Sequence, residues 1–284
     1  MAPQPIALLT DFGGEDYYVA AVRGVLWTRS PGSPLLDVSH QVRPGDVVGA
    51  SFLAWAAAAF LPSGSVLLAV VDPGVGSARR IVACRWDLPG GTGGWLVGPD
   101  NGLFSPFLVG RPLPQPQGLS VAPSVRSVEV ERPDLYLDLP GSTFHGRDRF
   151  APVAAALARG MPLEDFGQPL EQPVILPNAA PPQQEAHELL GRVVHIDRFG
   201  NLVTDIPTLW IDAWGSEAAV EVGVVTEDGE ASCRRRGRYY AELEEDEAGL
   251  LPGSLGTLEL ALRNDSLARR WGVRRGAMVR VSRH

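Results

Sequence analysis

The sequence predicts an α/β protein: a layered α/β amino-terminal domain followed by a small all-β, barrel-like carboxy-terminal domain. Three observations lead there. Up to Arg159, short apolar runs alternate with helix-length segments, as in a layered sheet with helices against it. Residues 169–188 hold five prolines and little periodicity, and proline removes backbone donors and resists both regular structures. Beyond them the chain breaks into short runs bounded by Gly, Asp, Pro or Ser, the spacing of a small barrel or sandwich.

In chain order, Ile6–Leu9 is an apolar run of strand length, and Asp16–Trp27 follows as a helix with an acid at its start to accept from the free amides. Leu35–Val38 is a strand and Asp46–Phe60 an alanine-rich helix. Val66–Val71, Ile81–Trp86, Trp95–Val97 and Val128–Val130 continue as strands, and Arg149–Arg159 is a further helix. After the proline-rich stretch, Gly191–Ile196, Leu202–Ile206, Ala218–Val225, Arg236–Glu242, Thr257–Leu262 and Met278–Val281 are the candidate strands. The expected division is therefore 1–170, a linker at 171–188, and 189–284.

Composition excludes whole classes of function. With 284 residues, 45% of them apolar, the chain buries a real core in one large or two modest domains. A net charge of −8 repels a phosphate lattice, so no nucleic-acid partner is expected. All 25 basic residues are arginine, which removes Schiff-base chemistry and the lysine of a phosphate-binding loop. Cys84 and Cys233 lack metal-ligand spacing and imply neither a disulfide framework nor a metal. The start MAPQPIALLTDFGG has no signal-peptide pattern, and the longest apolar run, near Ala50–Leu61, is too short for a bilayer. A cytoplasmic protein with no membrane partner is expected.

Chemistry concentrates in two runs, VVDPGVGSARR from Val70 to Arg80 and STFHGRDRF from Ser142 to Phe150. Each closes an apolar stretch with turn formers and then supplies a carboxylate, a guanidinium or an imidazole. The carboxyl ends of strands form the ligand crevice of α/β sheets, so Asp72, Arg79 and His145 are candidates to converge there. Taken alone, Asp72 also suits a turn-initiating aspartate, Arg79 a surface charge, and His145 a satisfied core histidine.

These two runs, together with LLTDFGGEDYYVAAVRGVL from Leu8, GPDNGLFSP from Gly98 and IDRFGNLVTDI from Ile196, resemble the S-adenosylmethionine (SAM) hydroxide adenosyltransferases. These are adenosine-forming SAM hydrolases related to the fluorinating and chlorinating enzymes. The resemblance runs from about Ile6 to Asn264. It implies that SAM is the substrate, that no cofactor is needed, and that Asp72, Arg79 and His145 form the catalytic trio of the hydrolase branch, a trio that halogenating relatives lack. It further implies that Asp11 binds ribose, that Asp16 and Asp197 meet the methionine amine, and that Asn101 lies near the substrate. Phe199 would stack near adenine and Asn201 would bond its edge, while Ser254 and Glu259 occupy ligand-facing positions. The chain departs from the pattern at Gly253, where an asparagine is expected, and again over Arg263–Ser266. The resemblance also implies a homotrimer with the site between subunits.

Rival readings are a halide (chloride) adenosyltransferase, a non-catalytic SAM or adenosine-binding protein, and a metal-dependent phosphohydrolase built on Asp11, Asp16 and Asp72.

Overall fold

The computed structural model of the chain describes residues 2–113, 121–141, 143–214 and 220–283. It divides into two compact units, Met1–Ala179 and Ala180–His284.

The first unit runs β1 (Ile6–Thr10), α1 (Tyr18–Arg29), β2 (Leu35–Ser39), α2 (Val47–Ala58), β3 (Val66–Val70), β4 (Ile81–Asp87), β5 (Gly93–Pro99), α3 (Ser105–Leu108), β6 (Ser124–Glu129) and α4 (Ala151–Ala158). Its sheet has the order β2-β1-β3-β5-β4-β6. β1 pairs in parallel with β2 on one side and β3 on the other, while β4 runs antiparallel to β5 and β6. The sequences IALLT and VLLAV are buried throughout, as strands covered on both faces must be. From β1 the chain moves to β2 on one flank and returns to β3 on the other, the kind of switch point at whose carboxyl ends α/β sheets bind ligands. Thr10 pairs with Val70, which puts Asp11 and the loop carrying Asp72 side by side at that end.

The second unit contains β7 (Gln183–Gln184), β8 (Glu188–Ile196), β9 (Leu202–Pro207), α5 (Thr208–Asp212), β10 (Val220–Thr226), β11 (Gly229–Cys233), β12 (Arg235–Arg236), β13 (Gly249–Pro252), β14 (Thr257–Ala261), α6 (Leu267–Trp271) and β15 (Met278–Arg283). They form one nearly closed, barrel-like sheet in the order β11-β10-β15-β8-β9-β14-β13-β12, with β7 on β8. Leu189, Val193, Leu202, Val222, Leu260 and Val279 fill its interior.

Several sequence expectations shift. The helix expected from Asp16 begins at Tyr18, and Tyr17, at its cap, makes no side-chain capping bond, so Asp16 is not the cap. α2 is capped by Asp46, whose Oδ1 accepts from Gly49 N at 2.9 Å. The helix expected at Arg149–Arg159 is present as α4, Ala151–Ala158, and is entered through a π-helical turn over Gly146–Phe150. Pro152 is accommodated there because the first turn leaves its missing N–H unneeded. The strand expected at Arg236–Glu242 is wrong. Glu242 accepts from both the backbone and the guanidinium of Arg238 and closes a turn, and the strand beside β14 is Gly249–Pro252. Residues 218 and 219 of the expected Ala218–Val225 strand, and Ser142 of the histidine run, lie outside the described residues.

Candidate active site

The Asp72 loop doubles back on itself. Val75 N donates to Asp72 O at 3.2 Å, Ser77 Oγ to Gly74 O at 2.7 Å, and Arg79 N to Ser77 Oγ at 3.2 Å. This hairpin brings Arg79 onto Asp72, where Nε donates to both carboxylate oxygens at 2.9 Å and Nη2 also reaches Oδ2. The same Nη2 lies 2.8 Å from His145 Nδ1. The guanidinium carbon stands 5.0 Å from the centre of the Phe150 ring. Asp72, Arg79 and His145, 66 residues apart at the extremes of the Arg79–His145 pair, thus form one connected array.

Arginine carries only donors, so His145 Nδ1 accepts and the ring proton resides on Nε2. His145 is 2% exposed. Its Nε2 is buried and has no hydrogen-bond partner among the described residues. A buried donor left unpaired costs about 1–3 kcal/mol, which a bound oxygen would recover. Burial, followed by the Arg149 and Arg79 charges, pushes the imidazole below its ordinary pKa, and Asp72 and Asp148 oppose this without reversing it. The ring is held neutral.

Around the array, Phe12 packs edge-on against Phe144 with centroids 5.6 Å apart, and Tyr18 lies 5.0 Å from Phe144. A Cβ on Gly146 would stand 3.0 Å from the Phe12 ring, so glycine permits this close approach behind His145. Asp11 accepts from Gly45 N at 2.9 Å, leaving its second oxygen without a bond among the described residues. Asp16 is exposed and unbonded among them. Asn101 has a fold-holding role in view: Nδ2 donates to Val71 O at 2.9 Å and Oδ1 accepts from Leu103 N at 3.2 Å. It secures the backbone that carries Asp72.

In the second unit, Asp197, Phe199 and Asn201 line a cavity of about 700 Å³ with Tyr240, Leu262 and Arg263. Asp197 shapes the turn by accepting from Phe199 N, Asn201 N and Asn201 Nδ2, each at 2.9 Å. Phe199 is 75% exposed, an apolar ring standing free. Glu259 is buried and accepts from the Tyr240 hydroxyl behind the cavity wall. Ser254 is exposed in the turn between β13 and β14 and is not among the residues lining that cavity. Tyr240 was not singled out from the sequence, because it lies in the run read as a strand.

Among the described residues no group of three or more His, Cys, Asp or Glu is arranged to hold a metal. Burial pushes the thiols of Cys84 and Cys233 up to about 12, so both are unreactive. No helix among the described residues is long and apolar enough to cross a membrane.

Comparison with known proteins adds an independent line. The profile described as SAM hydroxide adenosyltransferase N-terminal domain matches residues 6–167, and that of the C-terminal domain matches residues 191–280. An (R)-S-adenosyl-L-methionine hydrolase of Thermus thermophilus is 36% identical over 98% of this chain and 99% of its own length. One of the same name from Salinispora tropica is 43% identical over 71% of this chain and 72% of its own. A solved structure of an uncharacterised conserved protein from Thermotoga maritima superposes with a TM-score of 0.80 at 30% identity, covering 98% of this chain and all of that one.

Proposed function

The chain belongs to the SAM hydroxide adenosyltransferase family, and from that premise we propose that it hydrolyses S-adenosyl-L-methionine to adenosine and L-methionine. The observation that carries the reading is the Asp72–Arg79–His145 array with its unpaired Nε2–H.

In this reading a water oxygen accepts from His145 Nε2–H and sits within reach of the Arg79 guanidinium, so both donors favour hydroxide character. Its proton passes to Asp72 and on to solvent; Asp72 keeps lone pairs beyond those that Arg79 uses. The oxygen attacks the ribose 5′ carbon in line. The C5′–S bond breaks, its electron pair returns to sulfur, and the sulfonium leaves as neutral methionine thioether, so no general acid is required. Alignment alone supplies roughly 7 kcal/mol in favourable cases. Joining hydroxide to a cation cancels both charges, which a dry pocket favours.

Asp11, with one free oxygen, takes the ribose hydroxyls, and Asp16 and Asp197 take the amine. Phe199 and Asn201 receive adenine, and Asn101 supports the Asp72 backbone from behind. Ser254 is the weaker substrate contact, since it is exposed, and Glu259 serves the site through its bond with Tyr240. The active form in this reading is a homotrimer with the site between subunits, because heterologous contacts close into a ring. The reaction is cytoplasmic, in keeping with two unpaired cysteines.

The test is chromatography of pure protein incubated with each sulfonium epimer of SAM, with and without chloride or bromide. Adenosine and methionine in equal amounts are expected from one epimer. A 5′-haloadenosine product, or calorimetric binding without turnover, would replace the reading with a halide adenosyltransferase or a binding protein.

A further inference from the structure

Asn201 is read above as the residue that meets the base edge, yet an amide presents either a donor or an acceptor, and which one faces the ligand decides which base is accepted. Four side chains in the second unit settle this. Glu259 is buried; burial raises its carboxyl above the ordinary range, the Tyr240 hydrogen bond opposes this, and Oε1 is the acceptor of that bond. The Tyr240 hydroxyl donates to Glu259 Oε1, spending its single proton. The phenol oxygen is therefore an acceptor toward everything else. Asn201 stands 3.4 Å from it through Nδ2, and the same Nδ2 donates to Asp197 Oδ2 at 2.9 Å. Both amide hydrogens are thus claimed by acceptors, and Oδ1 takes no hydrogen bond among the described residues. Turning the amide over would set Oδ1 against a carboxylate oxygen and a hydroxyl that has no proton to give.

We propose that Tyr240 and Glu259 are positioning residues that lock the Asn201 amide with its oxygen toward the cavity, so that the site selects a purine bearing a 6-amino donor over one bearing a 6-oxo acceptor. The inference rests on the hydrolase reading, in which this cavity takes the adenine. Tyr240 acts as a wall of the cavity and as a relay, and Glu259 acts through Tyr240. The tyrosine is held in its donating form, because burial and the Glu259 carboxylate keep its hydroxyl well above the ordinary phenol range. The discrimination is of the strong kind, since the wrong base sets two acceptors face to face in a partly enclosed site.

The test is calorimetry with adenosine, inosine and purine riboside, which lacks any 6-substituent, on the full chain and on the Tyr240→Phe and Glu259→Gln variants. The unaltered protein is expected to bind adenosine about tenfold or more tightly than inosine, with purine riboside between them, since one missing donor and one added repulsion each cost about 1 kcal/mol or more. Tyr240→Phe frees an amide hydrogen for the inosine carbonyl, and Glu259→Gln turns the tyrosine proton toward Asn201. Either change is expected to bring the adenosine-to-inosine ratio below about threefold, a readout that simple loss of packing would not move. An unchanged ratio in either variant that melts cooperatively overturns the inference and leaves the hydrolase reading standing. So does a purine riboside affinity at or below that of inosine in the unaltered protein, which decides the matter even if neither variant folds. An unaltered protein that binds no nucleoside and releases no adenosine from SAM overturns the hydrolase reading itself.

Discussion

Arg79 Nη2 lies 2.8 Å from His145 Nδ1 while Arg79 Nε donates to both oxygens of Asp72 at 2.9 Å. One guanidinium therefore sets the geometry of the carboxylate and the tautomer of the imidazole together.

Replacing Arg79 by methionine removes the partner of a carboxylate that is 5% exposed. An uncompensated buried charge costs about 3–5 kcal/mol, and urea unfolding is expected to show that loss together with a fall in adenosine release of about 100-fold or more. Arg80→Met is the comparison. Arg80 ties buried Asp100 to the carbonyls of Glu171 and Gln172, so a similar loss of stability is expected with the turnover of the folded protein within about threefold. Equal loss of turnover in both would refute a special place for Arg79.

His145 offers its substrate side an N–H, so an amide that supplies an N–H at the same distance is expected to substitute in part. The side-chain nitrogen of glutamine reaches the Nε2 position and that of asparagine does not. His145→Gln is expected to keep at least about tenfold more activity than His145→Asn in steady-state assays. Equal and complete loss in both would point instead to proton abstraction by the ring.

The pKa of His145 lies below its ordinary 6.5, chiefly through burial. In the unfolded chain the ring takes up a proton as pH falls through about 6.5, whereas the folded protein resists until lower pH. Folding stability associated with this group is therefore whole above the unfolded value and is lost as pH falls toward the folded one. Thermal melts of the unaltered protein and His145→Gln should diverge in slope below pH 6.5, with the unaltered protein losing stability faster. Parallel curves would mean that the ring is protonated in the fold.

Gly253 stands where the family pattern calls for asparagine. A Cβ there would meet Thr257 O at 2.8 Å, inside the turn closed by the Gly253 N to Thr257 O bond. Gly253→Asn, although it restores the expected residue, is predicted to destabilise the second unit by about 1–3 kcal/mol. A denaturant midpoint at or above that of the unaltered protein would contradict this.

The sequence alone determined the alternation that makes the first unit a layered sheet and the change to short strands after the prolines, because both rest on local pattern: periodicity and turn formers. It marked Asp72, Arg79 and His145 through runs that resemble those of the family, and the fold brings the three within hydrogen-bonding reach. The buried runs at Ile6 and Val66 were legible from their unbroken apolar sequence. Tertiary structure decided what depends on contacts distant in the chain. Asp16 lost its capping role to the helix start at Tyr18. The run from Arg236 became a turn because Arg238 and Glu242 satisfy each other. Asn101 had its amide claimed by Val71, and Tyr240 gained a place beside Asn201 and Glu259. A residue's type fixes which hydrogen bonds it is able to make, but only the fold fixes which of them are already taken. Among the described residues His145 Nε2–H and Asn201 Oδ1 take no hydrogen bond, and there a ligand has something to gain.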